Sequence, residues 1–186
     1  MSYGLPRSLE VNGKEYPIRT DFRDILKIIE AINDPDLEDK EKVYVSLFIL
    51  YPDFDDFNVE DIKDAYMKAC EFIDCGLKTS EKKKSGQKIM DFIEDEALII
   101  PAINKVAGKE IREMEYLHWW TFMGYYMEIG ESTYSTVIHI RSKKQKHKKL
   151  EKWEEEFYSN NKELIDLKEK VSEEEKEEKE RLLAML

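Results

Sequence analysis

Two cysteines are too few for a disulfide framework, and Cys70 and Cys75 stand five positions apart on an expected helix, the pattern of reduced thiols in a cytoplasm. No apolar run approaches the ~20 residues that span a bilayer, so no membrane role is expected. The N-terminus lacks a basic stretch followed by an apolar core, so no secretory signal is expected either. Positive charge is outnumbered, 30 Lys and Arg against 41 Asp and Glu. The formal net charge is −11, and an acidic chain is repelled by phosphate backbones, which disfavours a whole-protein nucleic-acid role.

The parts of an active site are missing as well. No serine sits in a nucleophile elbow. Lys84-Ser85-Gly86-Gln87-Lys88 lacks the glycine spacing and the Gly-Lys-Ser/Thr ending of a phosphate-binding loop. Glu115-x-x-His118 has the spacing of a di-iron carboxylate site, but His139 and His147 have no glutamate three residues before them, so the set is incomplete and His118 reads as a polar residue at a helix start. Asp91, Glu94, Asp95 and Glu96 lack the alternating ligands and turn glycine of a calcium loop and read as charge at a helix N-terminus. The cysteines form no zinc pair with a nearby histidine. No acid, base, nucleophile and orienting group can be assembled, so neither enzyme activity nor a cofactor is expected.

What the chain has in quantity is charge and aromatic surface. Charged residues make up 38%, against an ordinary quarter or so, which points to long solvated helices, while 41% hydrophobic residues suffice for a core. The densest stretch is Met114 to Gly130, which carries Tyr116, Trp119, Trp120, Phe122, Met123, Tyr125, Tyr126 and Met127. Read as a helix it is apolar nearly all round, so it is either central to the core or shared between a core and a partner. These eight residues are the candidate partner-binding surface, with the Trp120 and Tyr126 faces favoured.

Along the chain, Asn12-Gly13 between Leu9-Glu-Val11 and Tyr16-Pro-Ile18 predicts a tight β-hairpin, with Pro17 limiting the second strand to an edge and the ribbon lying on helices. Thr20 or Asp21 caps a helix through Asn33 with Phe22, Ile25, Leu26, Ile29 and Ile32 on one face. A second helix runs from about Asp39 to Tyr51, with Val43, Leu47 and Leu50 inward, and Pro52 stops it. Asn58 caps a third helix whose buried stripe is Val59, Ile62, Tyr66, Ala69 and Ile73, ending near Gly76. Thr79 to Lys88 reads as a mobile loop. A helix kinked at Pro101 follows from Ile89 to Val106, ended by Gly108, then the aromatic helix, then a short helix capped by Ser132 or Thr133 carrying Tyr134, Val137, Ile138 and Ile140.

Arg141 to Lys152 is a basic block. Arg141, Lys143, Lys144, Lys146, Lys148 and Lys149 form a candidate contact patch for an acidic partner or nucleic acid. The favoured reading is a solvated helix face neutralised by the glutamates from Glu151 to Glu156, since no interleaved aromatics are there to stack bases. Beyond it, Val171 to Arg181 is almost wholly Glu and Lys. The expected fold is therefore mainly α: a single helical domain (21–168) with a small N-terminal β-hairpin (1–20) and a charged helical or frayed C-terminal extension (169–186).

Three stretches carry a resemblance. Leu5-Pro6 with Val11-Asn-Gly-Lys-Glu-Tyr-Pro-Ile-Arg-Thr-Asp-Phe-Arg23, then Tyr116-Leu-His-Trp-Trp-Thr-Phe122, then Val137-Ile-His-Ile-Arg-Ser142, in this order, resemble a family of small proteins from long-tailed bacteriophages of Gram-positive hosts, encoded between the major tail protein and the tape-measure protein. The likeness covers Leu5 to about Asn160 and is most specific at Leu-His-Trp-Trp. Val106 to Ile111 departs from the family's turn but keeps its glycine at Gly108. The resemblance implies a non-catalytic tail-assembly chaperone that binds the tape-measure protein, and the major tail protein as a further partner, in the host cytoplasm, and is absent from the mature virion. A structural tail or connector subunit retained in the virion is the alternative, and a small nucleic-acid-binding regulator a third. The family supplies no catalytic residues to carry over.

Overall fold

The computed structural model describes residues 4–77, 88–168 and 181. The fold is mainly α, with eight α-helices among the described residues and one two-stranded antiparallel hairpin at the N-terminal end. The described chain falls into two compact units, Gly4–Ile73 and Asp74–Leu167. Of the expected loop at 79–88 only Lys88 is described, and of the expected tail at 169–186 only Arg181, which is helical and exposed; the rest of both lies outside the described residues.

In the first unit, β1 (Ser8–Val11) pairs with β2 (Lys14–Pro17) in the register Leu9 opposite Tyr16 and Val11 opposite Lys14. Asn12 and Gly13 take φ of 47° and 82°, the positive pair that a two-residue hairpin turn requires. The ribbon does lie on a helix. Asn12 donates its backbone N–H to Asp64 (2.9 Å) and its side-chain amide to Asp61 (2.8 Å), both on α3 (Asp61–Ile73), while Val11 and Tyr16 point into the core.

α1 (Phe22–Ile32) starts where the sequence predicts, because the Asp21 carboxylate accepts the Arg23 backbone N–H at 2.9 Å and supplies one of the partners a helix start lacks. α2 (Asp39–Leu50) is opened by Glu38 and Glu41 in a reciprocal capping box. It ends at Tyr51, whose extended backbone precedes Pro52. Its last carbonyls are taken up by Arg19: the backbone N–H reaches Leu50 (2.8 Å) and the guanidinium reaches Phe48 and Ile49. Phe22, Ile25, Ile28, Leu47, Leu50, Tyr51, Ala65, Ala69 and Phe72 make the core of this unit. The Tyr51 hydroxyl donates to the Ala65 carbonyl, and burial pushes its pKa well above the usual tyrosine range. One expectation fails. Val59 is 90% exposed and lies ahead of α3, which begins at Asp61. Ala69 is buried as expected, Ala65 and Phe72 are buried beside it, and Ile62, Tyr66 and Ile73 are half-buried.

In the second unit, α4 (Glu96–Ala107) is shorter than predicted. Residues 88–91 have no regular structure and 92–95 form a turn, because the Asp91 carboxylate takes the Ile93 and Glu94 backbone N–H groups that a helix begun at Ile89 would pair with its own carbonyls. Pro101 sits inside α4 without dividing it, and Gly108 closes it in the left-handed conformation at φ 70°. α5 (Trp119–Met127), α6 (Thr133–Gln145), α7 (Lys152–Asn160) and α8 (Lys162–Ile165) follow. α6 is thirteen residues, longer than expected, and Ser132 caps it by accepting the Ser135 N–H. Ile99, Ile103, Ile111, Trp119, Phe122, Val137, Ile140 and Ile165 form the interior.

Candidate interaction surfaces

The aromatic stretch is organised by His118. The expected helix from Met114 does not form, because the His118 side chain accepts the Trp120 N–H at 3.0 Å and fixes the helix start at Trp119. Glu115 and His118 both precede α5, so they do not share a helix face, and among the described residues no group of three or more His, Cys, Asp or Glu could hold a metal. Downstream of the cap the candidate residues separate. Trp119 and Phe122 are each 1% exposed, stacked with centroids 5.5 Å apart, and belong to the core. Trp120, Met123, Tyr125 and Tyr126 are half-buried. Tyr116 and Met127 are exposed. The cluster is thus central, but one side of it reaches the surface.

That side opens on a groove of 490 Å³ lined by Tyr126, Met127, Ile129 and Ile138, with Ser135, His139 and Ser142 on its polar wall. The Tyr126 and Tyr134 hydroxyls are 2.7 Å apart, and burial pushes both phenols above their usual pKa. Neither is a candidate base at neutral pH.

The basic block does not form one patch. Arg141, expected on a solvated face, is buried. Its guanidinium makes a two-pronged ion pair with Asp95 (2.7 and 2.9 Å), itself 2% exposed, and donates further to the carbonyls of Ile89, Leu164 and Ile165. This corrects the sequence reading. A fork of fixed donors can satisfy a carboxylate and several backbone carbonyls at once, so the charge is held inside. Lys143 meets both oxygens of Glu154 at 2.7 Å, and Lys144 meets Asp166 at 2.6 Å while lying over the Tyr158 ring. The Lys143 hydrogen bonds hold the Glu154 carboxyl below its ordinary range. Lys146, Lys148 and Lys149 remain exposed. Burial also pushes the Cys75 thiol up to about 11, leaving little thiolate for nucleophilic chemistry.

A second apolar surface lies on the unit Gly4–Ile73, where sequence reasoning had placed none. Two shallow grooves, of 410 and 550 Å³, share Val43 and Ile62. The first also takes in Tyr44, Leu47 and Phe54, the second Val59, Tyr66 and Met67. Tyr44 is 57% exposed, Phe48 55%, Met67 52% and Val59 90%. The rings are mutually fixed: Tyr44 and Phe48 stack at 6.2 Å, and both meet Phe54 edge-on. Phe54 in turn leans on Phe57, which stacks on Tyr16 at 4.3 Å and touches Tyr51, so an aromatic ladder runs from the core to the surface. The signal was present in α2, where seven of the eight residues from Val43 to Leu50 are apolar and only Ser46 is not. A helix that is apolar all round has a face to spare, the rule already applied to Met114–Gly130.

No helix among the described residues is long and apolar enough to cross a membrane. A family model described as Bacteriophage Gp15 protein matches residues 1–167. No curated protein and no solved structure matches the chain.

Proposed function

We infer that this chain, which belongs to the Bacteriophage Gp15 protein family, is a non-catalytic tail-assembly chaperone that covers apolar helical surface on the tape-measure protein until tube subunits enclose it. The observation that carries the reading is the exposure of Tyr44, Phe48 and Met67 on α2 and α3, with Val59 just ahead of α3, in a chain that is 38% charged. A long helical client with unpaired apolar stripes aggregates unless shielded. Aromatic and methionine side chains adapt to imperfect apolar partners, and a charged exterior keeps the coated complex in solution. The half-buried side of α5, with Trp120 and Tyr126, offers a second apolar contact within the other unit. The major tail protein is the second partner this role would bring near. The work would be done in the host cytoplasm, with the chaperone leaving before the particle is complete.

Coexpression with the tape-measure protein is the test. The tape measure should stay soluble with the intact chain and precipitate without it, and purified virions examined by mass spectrometry should lack this protein. Its presence there in stoichiometric amount would make it a structural tail or connector subunit instead.

A further inference from the structure

We propose that the α2–α3 groove docks an amphipathic helix whose apolar stripe is flanked by lysine or arginine. The identity of the natural client rests on the chaperone reading; the recognition chemistry rests on the groove. Its floor is Val43, Leu47, Phe54 and Ile62, and its raised edges are Tyr44, Phe48 and Met67, spaced along two helices as a strip rather than a pit. A strip of that kind accepts a helix presenting side chains three and four apart.

Charge selects the occupant. From Asp34 to Asp64 the chain carries eleven carboxylates against three lysines; Lys40, Lys63 and Asp39 line the grooves themselves, so the acidic excess lies on the segments around them. Asp61 and Asp64 are occupied by Asn12, and Glu38 and Glu41 cap α2. Asp53, Asp55, Asp56 and Glu60 are exposed on the segments around Phe54 and Val59 and make no ion pair among the described residues. A cationic flank on the incoming helix would meet these carboxylates, while an anionic one would be repelled. That argues against a second copy using the same strip, since two acidic margins would face each other. It argues equally against the chain's own 169–186 segment, in which seven glutamates outnumber four basic residues.

The test uses the full-length protein and two synthetic helical peptides with the same leucine stripe, one flanked by lysine and one by glutamate, titrated calorimetrically. The lysine peptide should bind, weaken as salt is raised, and exceed the glutamate peptide by about tenfold or more. Phe48→Ser and Tyr44→Ser, exposed substitutions checked for unchanged circular dichroism, should each weaken it about tenfold, whereas Tyr126→Phe should leave it unchanged. Equal affinity for both peptides, or indifference to Phe48→Ser, overturns the proposal. So does a dimer in sedimentation that Phe48→Ser dissolves, which would give the strip to a second copy. If the tape measure stays soluble with Phe48→Ser, the docking assignment fails and the chaperone reading survives. If the lysine peptide binds as expected yet the tape measure precipitates regardless, the chaperone reading fails and the groove chemistry stands.

Discussion

The unit Gly4–Ile73 keeps apolar groups outside, and the unit Asp74–Leu167 keeps charges inside. Tyr44, Phe48, Val59 and Met67 are more than half exposed in the first, as Leu77, Met127 and Trp153 are in the second, but among the described residues the buried charges, Asp91, Asp95, Arg141 and Glu154, are all in the second. The two departures from ordinary burial have opposite energetic meanings. An exposed ring costs the folded monomer little, so it is free to serve a partner. A buried ion pair is weak as a source of stability but costly to break, because one charge is left without its mate. The first unit is thus where substitution should alter binding and spare the fold. In the second, substitution should damage the fold.

The sharpest way to break this contrast is Arg141→Met. It leaves Asp95 buried without its guanidinium and frees three carbonyls, so a loss of about 3–5 kcal/mol is expected, read as a lowered urea midpoint by circular dichroism. An unchanged midpoint would remove the argument for the second unit.

Acid should produce the next largest effect. The Arg112 hydrogen bonds lower Glu110 from 4.5 to about 2, and Lys143 likewise lowers Glu154. Asp166 is pushed up by burial but more strongly down by Lys144 and Tyr158. Each carboxyl is depressed in the folded state, so its stabilisation is complete above its ordinary value. That stabilisation disappears as pH falls through the folded value. Unfolding midpoints should therefore decline between about pH 4.5 and pH 2. All three groups lie in the second unit, and a flat profile would contradict the ion-pair account.

Tyr126→Phe removes one hydroxyl from the Tyr126–Tyr134 pair and should cost about 1 kcal/mol by the same urea measurement. The smallest effect on stability belongs to Phe48→Ser, expected within about 0.5 kcal/mol of the parent, even as it weakens client binding. A large loss of stability there would mean that the exposed ring is part of the fold after all.

Local chemistry was legible in the sequence. Asp21 and Ser132 as caps, Asn12-Gly13 as a hairpin turn, Gly108 as a stop and Pro52 as a terminator all act within a few residues of where they stand. What escaped was tertiary. Arg141 read as solvated because its partner Asp95 is 46 residues away, and no periodicity reveals such a pairing. The acidic cluster did mark a helix start, with Asp95 as the N-cap and Glu96 in the first turn, but α4 begins there rather than at the expected Ile89. The candidate surface was half legible: the aromatic stretch drew attention by its density, yet Trp119 and Phe122 turned inward. The less conspicuous α2, with apolar residues on every side, held the more open face.

The placement of the indoles gives the two units separate optical signals. Trp119, Trp120 and Trp153 all fall in Asp74–Leu167, and Gly4–Ile73 contains only tyrosine and phenylalanine rings. Selective excitation of tryptophan fluorescence therefore watches one unit alone. A ligand seated against Trp120 should shift that emission, so the α5 face can be read in a cuvette without labelling it.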